Sequence, residues 1–294
     1  MVLENLDMLV AHSARIGSIT DLVQSSGGNV SQKTKSTLWV KASGKYLKDA
    51  GLENIFTEVN IEDLTDEEIL RTEDFSARVR DSKTPSIETN FHIILKKKYV
   101  THLHSLGSIS IGISEFSNLS IFANNKISFI SYTRPGTKLA KAIHNLENAK
   151  ENTLVLKNHG VIFSGETVEE IEDKIFSFED FIRTFLNNYD SNIKCPNWIE
   201  ILTSGVLTPD EAVFLGEVPF VSSDSSILKS IAINSKSELL FPVGFTQNQI
   251  DMANFYVKVA KSIEKKSKVS YIPQKEVKFL LNWEKEKIRI LSSK

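Results

Sequence analysis

The chain has 294 residues, 41% of them hydrophobic, with 35 Lys and Arg against 37 Asp and Glu and a formal charge of -2. Near-neutrality gives no electrostatic draw towards nucleic acid or an anionic membrane, and no apolar run approaches the roughly 18 to 20 residues that span a bilayer, so a small molecule is the expected partner. Cys195 is the single cysteine, which excludes an intrachain disulfide and a Cys-rich zinc knuckle; with Glu4 and Asp7 where a secretory leader needs a basic start and an unbroken apolar run, a cytoplasmic protein is expected.

Leu3, Leu6, Leu9 and Val10 share one helical face, predicting an amphipathic helix that breaks near Gly17. Ser25-Ser26-Gly27-Gly28-Asn29-Val30-Ser31 reads as a turn-rich loop, residues 37–40 as a strand, and Ala42-Ser43-Gly44 as a second turn. Between Glu53 and Asp81 charge is dense and periodicity weak, although Thr65-Asp66-Glu67-Glu68 has the form of a helix N-terminus. Pro85-Ser86-Ile87-Glu88 starts a helix that continues through Phe91, Ile94 and Leu95 to the Lys96-Lys97-Lys98 run. Strands are predicted over 99–104, 127–131 and 153–157, with a helix over 136–149 between the last two. Thr167 and Glu170 suggest a capping box for a helix reaching about Asn188. Helices and strands therefore alternate, and a first domain over 1–194 is expected. Beyond Cys195-Pro196 the composition changes, and 195–294 reads as a C-terminal extension with helices over 246–265 and 273–291, the second opened by a proline. No internal repeat and no Gly-x-Gly-x-x-Gly or Walker-type run is present, so a nucleotide cofactor has no support.

Residues two apart on a strand face the same way, so His102 and His104 present two imidazoles side by side. Lys157-Asn158-His159-Gly160 supplies a third at the end of another predicted strand. Three neutral imidazoles leave an open coordination position, as a catalytic divalent-metal site requires; zinc is the default ion for that donor set, and cobalt, manganese and iron(II) also accept nitrogen ligands. His12, His92 and His144 sit inside predicted helices without a comparable partner and read as packing or surface residues. Glu88 at a helix start has an ordinary role with the helix amides, and becomes an acid/base only if that helix end faces the metal. Gly28-Asn29 and Ser43-Gly44 are turns able to aim donors at an anion, with Lys41 and Lys45 flanking the second as secondary candidates.

Taken together and in order, Gly27-Gly28-Asn29-Val30-Ser31, Val40-Lys41-Ala42-Ser43-Gly44, Pro85-Ser86-Ile87-Glu88-Thr89, His102-Leu103-His104-Ser105 and Asn158-His159-Gly160-Val161 resemble the class II aldolase/adducin-head family. The resemblance implies a three-layer α/β/α domain with a largely antiparallel central sheet, here followed by a C-terminal helical extension, and a homotetramer with active sites between neighbours. Carried over by position, it implies metal ligands at His102, His104 and His159, a catalytic carboxylate at Glu88, and substrate-phosphate turns at Gly28, Asn29, Ser43, Gly44 and Ser86. The implied activity is a zinc-dependent lyase of carbohydrate metabolism, cleaving a keto-sugar or sugar phosphate by retro-aldol chemistry through a metal-stabilised enediolate. The same framework serves 4-epimerases, dehydratases and decarboxylases, and the adducin head is a non-catalytic interaction module. Ile87 departs from the second phosphate-contacting serine of sugar-phosphate aldolases. The Val-Lys-Ala-Ser-Gly and Ser-Ile-Glu-Thr runs, Leu207-Thr208-Pro209-Asp210 and the stretch at Trp283 are similar to longer members fused to a short-chain dehydrogenase, which is not expected here. Family aldolases add a tyrosine from a neighbouring subunit, for which Tyr132, Tyr189 and Tyr256 are the candidates.

Overall fold

The computed structural model describes residues 6–116, 120–146, 153–191, 194–225 and 229–292. Its strands are β1 (Asn29–Lys33), β2 (Thr37–Lys41), β3 (Phe56–Asn60), β4 (Tyr99–Leu103), β5 (Ile127–Ile130), β6 (Thr153–Leu156), β7 (Gly160–Gly165), β8 (Phe220–Ser222), β9 (Ile231–Ile233) and β10 (Leu239–Leu240). The helices are α1 (Asp7–Gly17), α2 (Asp66–Arg71), α3 (Thr89–Ile94), α4 (Leu106–Gly112), α5 (Ser120–Asn124), α6 (Thr137–His144), α7 (Val168–Asn188), α8 (Trp198–Thr203), α9 (Pro209–Leu215), α10 (Gln247–Ile263), α11 (Gln274–Asn282) and α12 (Glu284–Ser292).

The first seven strands form one sheet in the order β3-β2-β1-β4-β7-β6-β5. Every neighbouring pair is antiparallel except β5 with β6, giving the expected largely antiparallel sheet. The period-2 alternation of a strand sorts its side chains onto two apolar faces. Leu103, Val155, Val161 and Phe163 enter one core with Leu9 of α1, Ile109 of α4 and Ile175 of α7. Val100, Leu154, Leu156 and Ile162 enter the other with Ile69 of α2, Phe91 of α3 and Leu139 of α6. Helices thus cover both sides of a mixed α/β sandwich.

Local signals account for most element ends. Thr65 Oγ1 accepts from the Glu68 backbone N–H at 3.2 Å while the Glu68 carboxylate accepts from the Thr65 N–H at 2.8 Å, a complete capping box on α2. Thr167 caps α7 at 3.1 Å, but the Glu170 carboxylate takes the Glu166 N–H and Lys174 Nζ, so the expected box is half formed. Helix α3 is shorter than expected: it starts after Glu88 and ends at Ile94, and the extended backbone of Leu95 lets the chain turn into β4. Strands β1 and β3 lie in stretches that read as loop and as weakly periodic. Asn29, Ser31 and Gln32 are polar yet buried, so β1 carries no hydrophobic alternation to read. Leu3 of the predicted first helix and 147–149 of the predicted 136–149 helix lie outside the described residues.

In the extension the predicted helix over 273–291 is two helices, broken at Trp283, which is extended. A three-stranded sheet, β10-β9-β8, accompanies the helices. Phe220, Ile231, Met252 and Val259 belong to the same apolar core as Leu9 and Phe163, and Ser270 N–H donates to Ile113 O at 2.8 Å. No helix among the described residues is long and apolar enough to cross a membrane.

Glu211 is fully buried in the first turn of α9, where it accepts backbone N–H groups through one oxygen and leaves the other unpartnered. Burial pushes its carboxyl from an ordinary 4.5 up to about 8. The native state therefore holds a proton that the unfolded chain releases above about 4.5, and stability falls as pH rises from there to about 8. Glu211→Gln is expected to remove that dependence, raising the unfolding midpoint at pH 8 relative to wild type while leaving it nearly unchanged at pH 4.5. Parallel thermal scans check this.

Candidate metal centre

The site is assembled by strand register at one end of the three central strands. Asn29, first residue of β1, lies directly opposite His102 on β4, and His102 lies opposite Ile162 on β7. His102 shares a face with Val100 and takes the edge of Phe91, with ring centroids 5.7 Å apart. His104 follows two residues on, past the strand end. The tight turn from β6 into β7 brings in His159, with Asn158 in the left-handed region at φ 56°. Gly160 is required there, because a Cβ would sit 2.3 Å from Leu103 O and 3.0 Å from His104 Cδ2. Gly28 has φ 64°, and a Cβ on it would meet His102 O at 2.8 Å. Glu88 occupies the N-cap of α3 yet makes no capping bond; its carboxylate turns to the histidines instead.

Hydrogen bonds fix which ring nitrogens carry protons. His102 Nδ1 lies 3.0 Å from Val161 O and donates to it. His104 Nδ1 lies 2.8 Å from Asp210 Oδ2, an acceptor. With both rings neutral, both Nε2 atoms present lone pairs, and they face each other 3.0 Å apart. Two lone pairs at that distance repel unless a cation lies between them. A tetrahedral zinc with Zn–N bonds of about 2.0–2.1 Å holds its nitrogens roughly 3.3 Å apart, so the pair fits a divalent ion. One ligand atom from each of His102, His104 and His159 falls within 4.8 Å of the others, and all three residues are buried. Burial, with neighbouring His104, keeps His102 neutral, and burial holds His159 down to about 3, the uncharged form that ligates. Glu88 Oε2 lies 3.5 Å from His102 Nε2 and Oε1 lies 3.5 Å from His159 Nε2, with Oε1 free of any hydrogen bond.

A second layer holds these groups. Asn29 Nδ2 donates to Glu88 Oε2 at 2.8 Å and to Ser86 Oγ at 3.3 Å, and its Oδ1 is bonded by His92 Nε2. His92 Nδ1 in turn meets Ser31 Oγ at 2.7 Å. On the other side Asp210, at the start of α9, joins His104 to Arg289 of α12, whose Nη2 donates to Asp210 Oδ1 at 2.7 Å. Burial alone would raise the Asp210 carboxyl, but the Arg289 guanidinium and His104 hold it well below the usual carboxylate range. Arg289 Nη1 also donates to Glu286 Oε2 at 3.1 Å, and the guanidinium lies 5.2 Å from the Phe214 ring.

One cleft gathers the sequence candidates. Gly28, Asn29, Ser43, Gly44, Ser86 and Glu88 line it together with His104 and His159, while His102 lies just behind, fully buried. Lys41 also lines it, buried, with Nζ donating to Ser26 O and Lys45 O at 2.8 Å each. Burial, with Arg289 adding to it, lowers that ammonium to about 7. Lys45 instead pairs with Glu53 at 2.7 Å. None of the three candidate tyrosines lines the cleft. Tyr132 packs on the Val206 and Ile272 cluster, Tyr189 on Phe116 and Phe185, and Tyr256 bonds Thr208.

Asp210, Glu286, Arg289 and the inward-facing role of His92 escaped the sequence reading. Leu207-Thr208-Pro209-Asp210 signals a capped helix start, and Thr208 does cap α9, but nothing in that grammar points 106 residues back to His104.

Residues 9–186 match the family described as Class II Aldolase and Adducin N-terminal domain. The uncharacterized oxidoreductase YuxG of Bacillus subtilis is 29% identical over 215 residues, 64% of this chain and 31% of that protein, so the match spans about a third of the relative's length. The N-terminal class II aldolase domain of a conserved Thermoplasma acidophilum protein superposes with a TM-score of 0.50 at 28% identity, covering 62% of this chain and 95% of that one. YgbL of Klebsiella pneumoniae, a putative aldolase/epimerase/decarboxylase, gives a TM-score of 0.46 at 21% identity, covering 62% and 87%.

The Asp210 to His104 bond fixes both tautomer and ring orientation, so Asp210→Asn is expected to weaken zinc or cobalt affinity by about 10- to 100-fold, with little change in the far-ultraviolet spectrum. Competition against a chromogenic chelator measures it; unchanged affinity would reduce Asp210 to a packing role.

Proposed function

This chain belongs to the class II aldolase and adducin N-terminal domain family, and from that premise we propose that it is a divalent-metal lyase of the aldolase type, cleaving a carbon–carbon bond of a keto-sugar or sugar phosphate. The observation that carries the reading is the pair of facing Nε2 atoms 3.0 Å apart, with the unpartnered Glu88 Oε1 beside the third histidine. His102, His104 and His159 hold the ion, with zinc as the best match to three imidazoles. Once bound, it supplies Lewis-acid polarisation of a substrate carbonyl.

The remaining chemistry falls to the chain's own groups. Glu88 is the acid/base: Asn29 fixes one of its oxygens at 2.8 Å, leaving the other free to take and return a proton at the reacting carbon. Gly28, Asn29, Ser43, Gly44 and Ser86 form the wall that receives the far end of the substrate. Buried His92 clamps Asn29 and so keeps Glu88 from turning back onto the α3 amides. With no candidate tyrosine in the cleft, we place the second proton donor on a neighbouring copy in a homotetramer, and we take residues 195–294 to act as one body with the catalytic domain.

Protein purified without added metal or chelator is expected to carry about one divalent ion per chain, and to lose it in each of His102→Ala, His104→Ala and His159→Ala. Metal-free wild type, even after reconstitution, would move the reading to an interaction module. Glu88→Gln is expected to retain the ion while turnover of a cleavable ketose falls by about 10²- to 10⁴-fold; full activity in that variant would sink the carboxylate assignment.

A further inference from the structure

Helix α12 brings into the cleft two side chains that the catalytic proposal does not use, Glu286 and Arg289. Glu286 is 1% exposed; its Oε2 accepts from Arg289 Nη1 at 3.1 Å, and its Oε1 has no hydrogen-bond partner. The same cleft is lined by Ser43, Gly44 and Ser86, the turns that would receive the substrate's far end. An unpartnered buried acceptor in such a wall asks for a donor.

The cations nearby already have partners within the protein. Arg289 faces two carboxylates, Asp210 at 2.7 Å and Glu286 at 3.1 Å, so that trio carries net negative charge whenever both acids are ionised. Lys41 gives two of its three protons to the carbonyls of Ser26 and Lys45. Both Nδ2 protons of Asn29 go to Glu88 and Ser86, which leaves it none for an incoming anion. Ile87 lines the cleft and offers no side-chain donor.

We propose that Glu286, held by Arg289, selects a substrate whose far end is an uncharged hydroxyl, donating to Glu286 Oε1, over one whose far end is a phosphate. A hydroxyl completes the shell of the free carboxylate oxygen, whereas a phosphate sets like charge against it in a buried wall. The inference rests on the metal-lyase reading and narrows its substrate class to unphosphorylated polyhydroxy ketones.

The test uses the full chain loaded with Co²⁺ and two chelating probes that differ in one group, glycolohydroxamate and phosphoglycolohydroxamate, titrated by the visible spectrum of the bound cobalt. Wild type is expected to bind the unphosphorylated probe at least tenfold tighter. Glu286→Gln keeps the shape and removes the charge, and is expected to shift the ratio of the two affinities towards the phosphorylated probe by at least tenfold; its cobalt spectrum serves as the fold control. A wild-type preference for the phosphorylated probe, or a ratio that Glu286→Gln leaves unmoved, overturns the inference while the metal reading stands. Absence of a bound-cobalt spectrum overturns both. The wild-type ratio alone is decisive should the variant fail to fold.

Discussion

The site depends on two imidazole nitrogens that cannot rest together without something positive between them. Each Nδ1 is tied to an acceptor, Val161 O for His102 and Asp210 for His104, so in the neutral rings each Nε2 turns its lone pair towards the other. That opposition is imposed by the backbone. His102 sits on a central strand paired on both sides, and Gly160 admits no side chain in the turn that brings His159 alongside. A protein that buries such an arrangement raises its own free energy unless a cation offsets it. This is a stronger reason to expect an ion than the presence of three histidines alone.

Layers of support surround that contact in a definite order. Strand register sets Asn29 against His102; Asn29 then orients Glu88, and His92 with Ser31 orients Asn29. Each link is buried, and apart from Glu88 Oε1 its polar side-chain atoms find their partners within the protein. His92 shows how context changes a residue's reading: inside a short helix it looks like filler, and it is the clamp on the amide that aims the carboxylate.

The sequence made the alternation of helices and strands and the three histidines legible because both leave local marks, whereas the largely antiparallel sheet came from the family resemblance. His-x-His on a strand needs only period-2 geometry, and the Thr65 and Thr246 caps are written within four residues of their partners. What it hid was non-local. β1 was lost because its inward residues are polar, and the α11 to α12 break because Trp283 carries no Gly or Pro to announce it. Asp210, Glu286 and Arg289 were invisible for the same reason: their meaning lies in a site built mainly from residues 28 to 159. Glu88 was half legible, since a carboxylate at a helix start has an ordinary explanation, and only its missing capping bond overrules it.

Asn158 joins the two ends of the chain in a way that bears on how the protein responds to metal. One residue before His159, it sits in a left-handed conformation while its amide donates to Leu207 O and Ser270 O at 2.9 Å each. The loop that presents a proposed ligand is thus stitched to two separate segments of the extension. An ion that binds only the native arrangement stabilises everything which must be native for binding to occur. Metal supply would then govern the breathing of backbone more than a hundred residues downstream of the first histidine, and stripping the ion would loosen α9 and the 267–272 segment before it disturbed the far edge of the sheet.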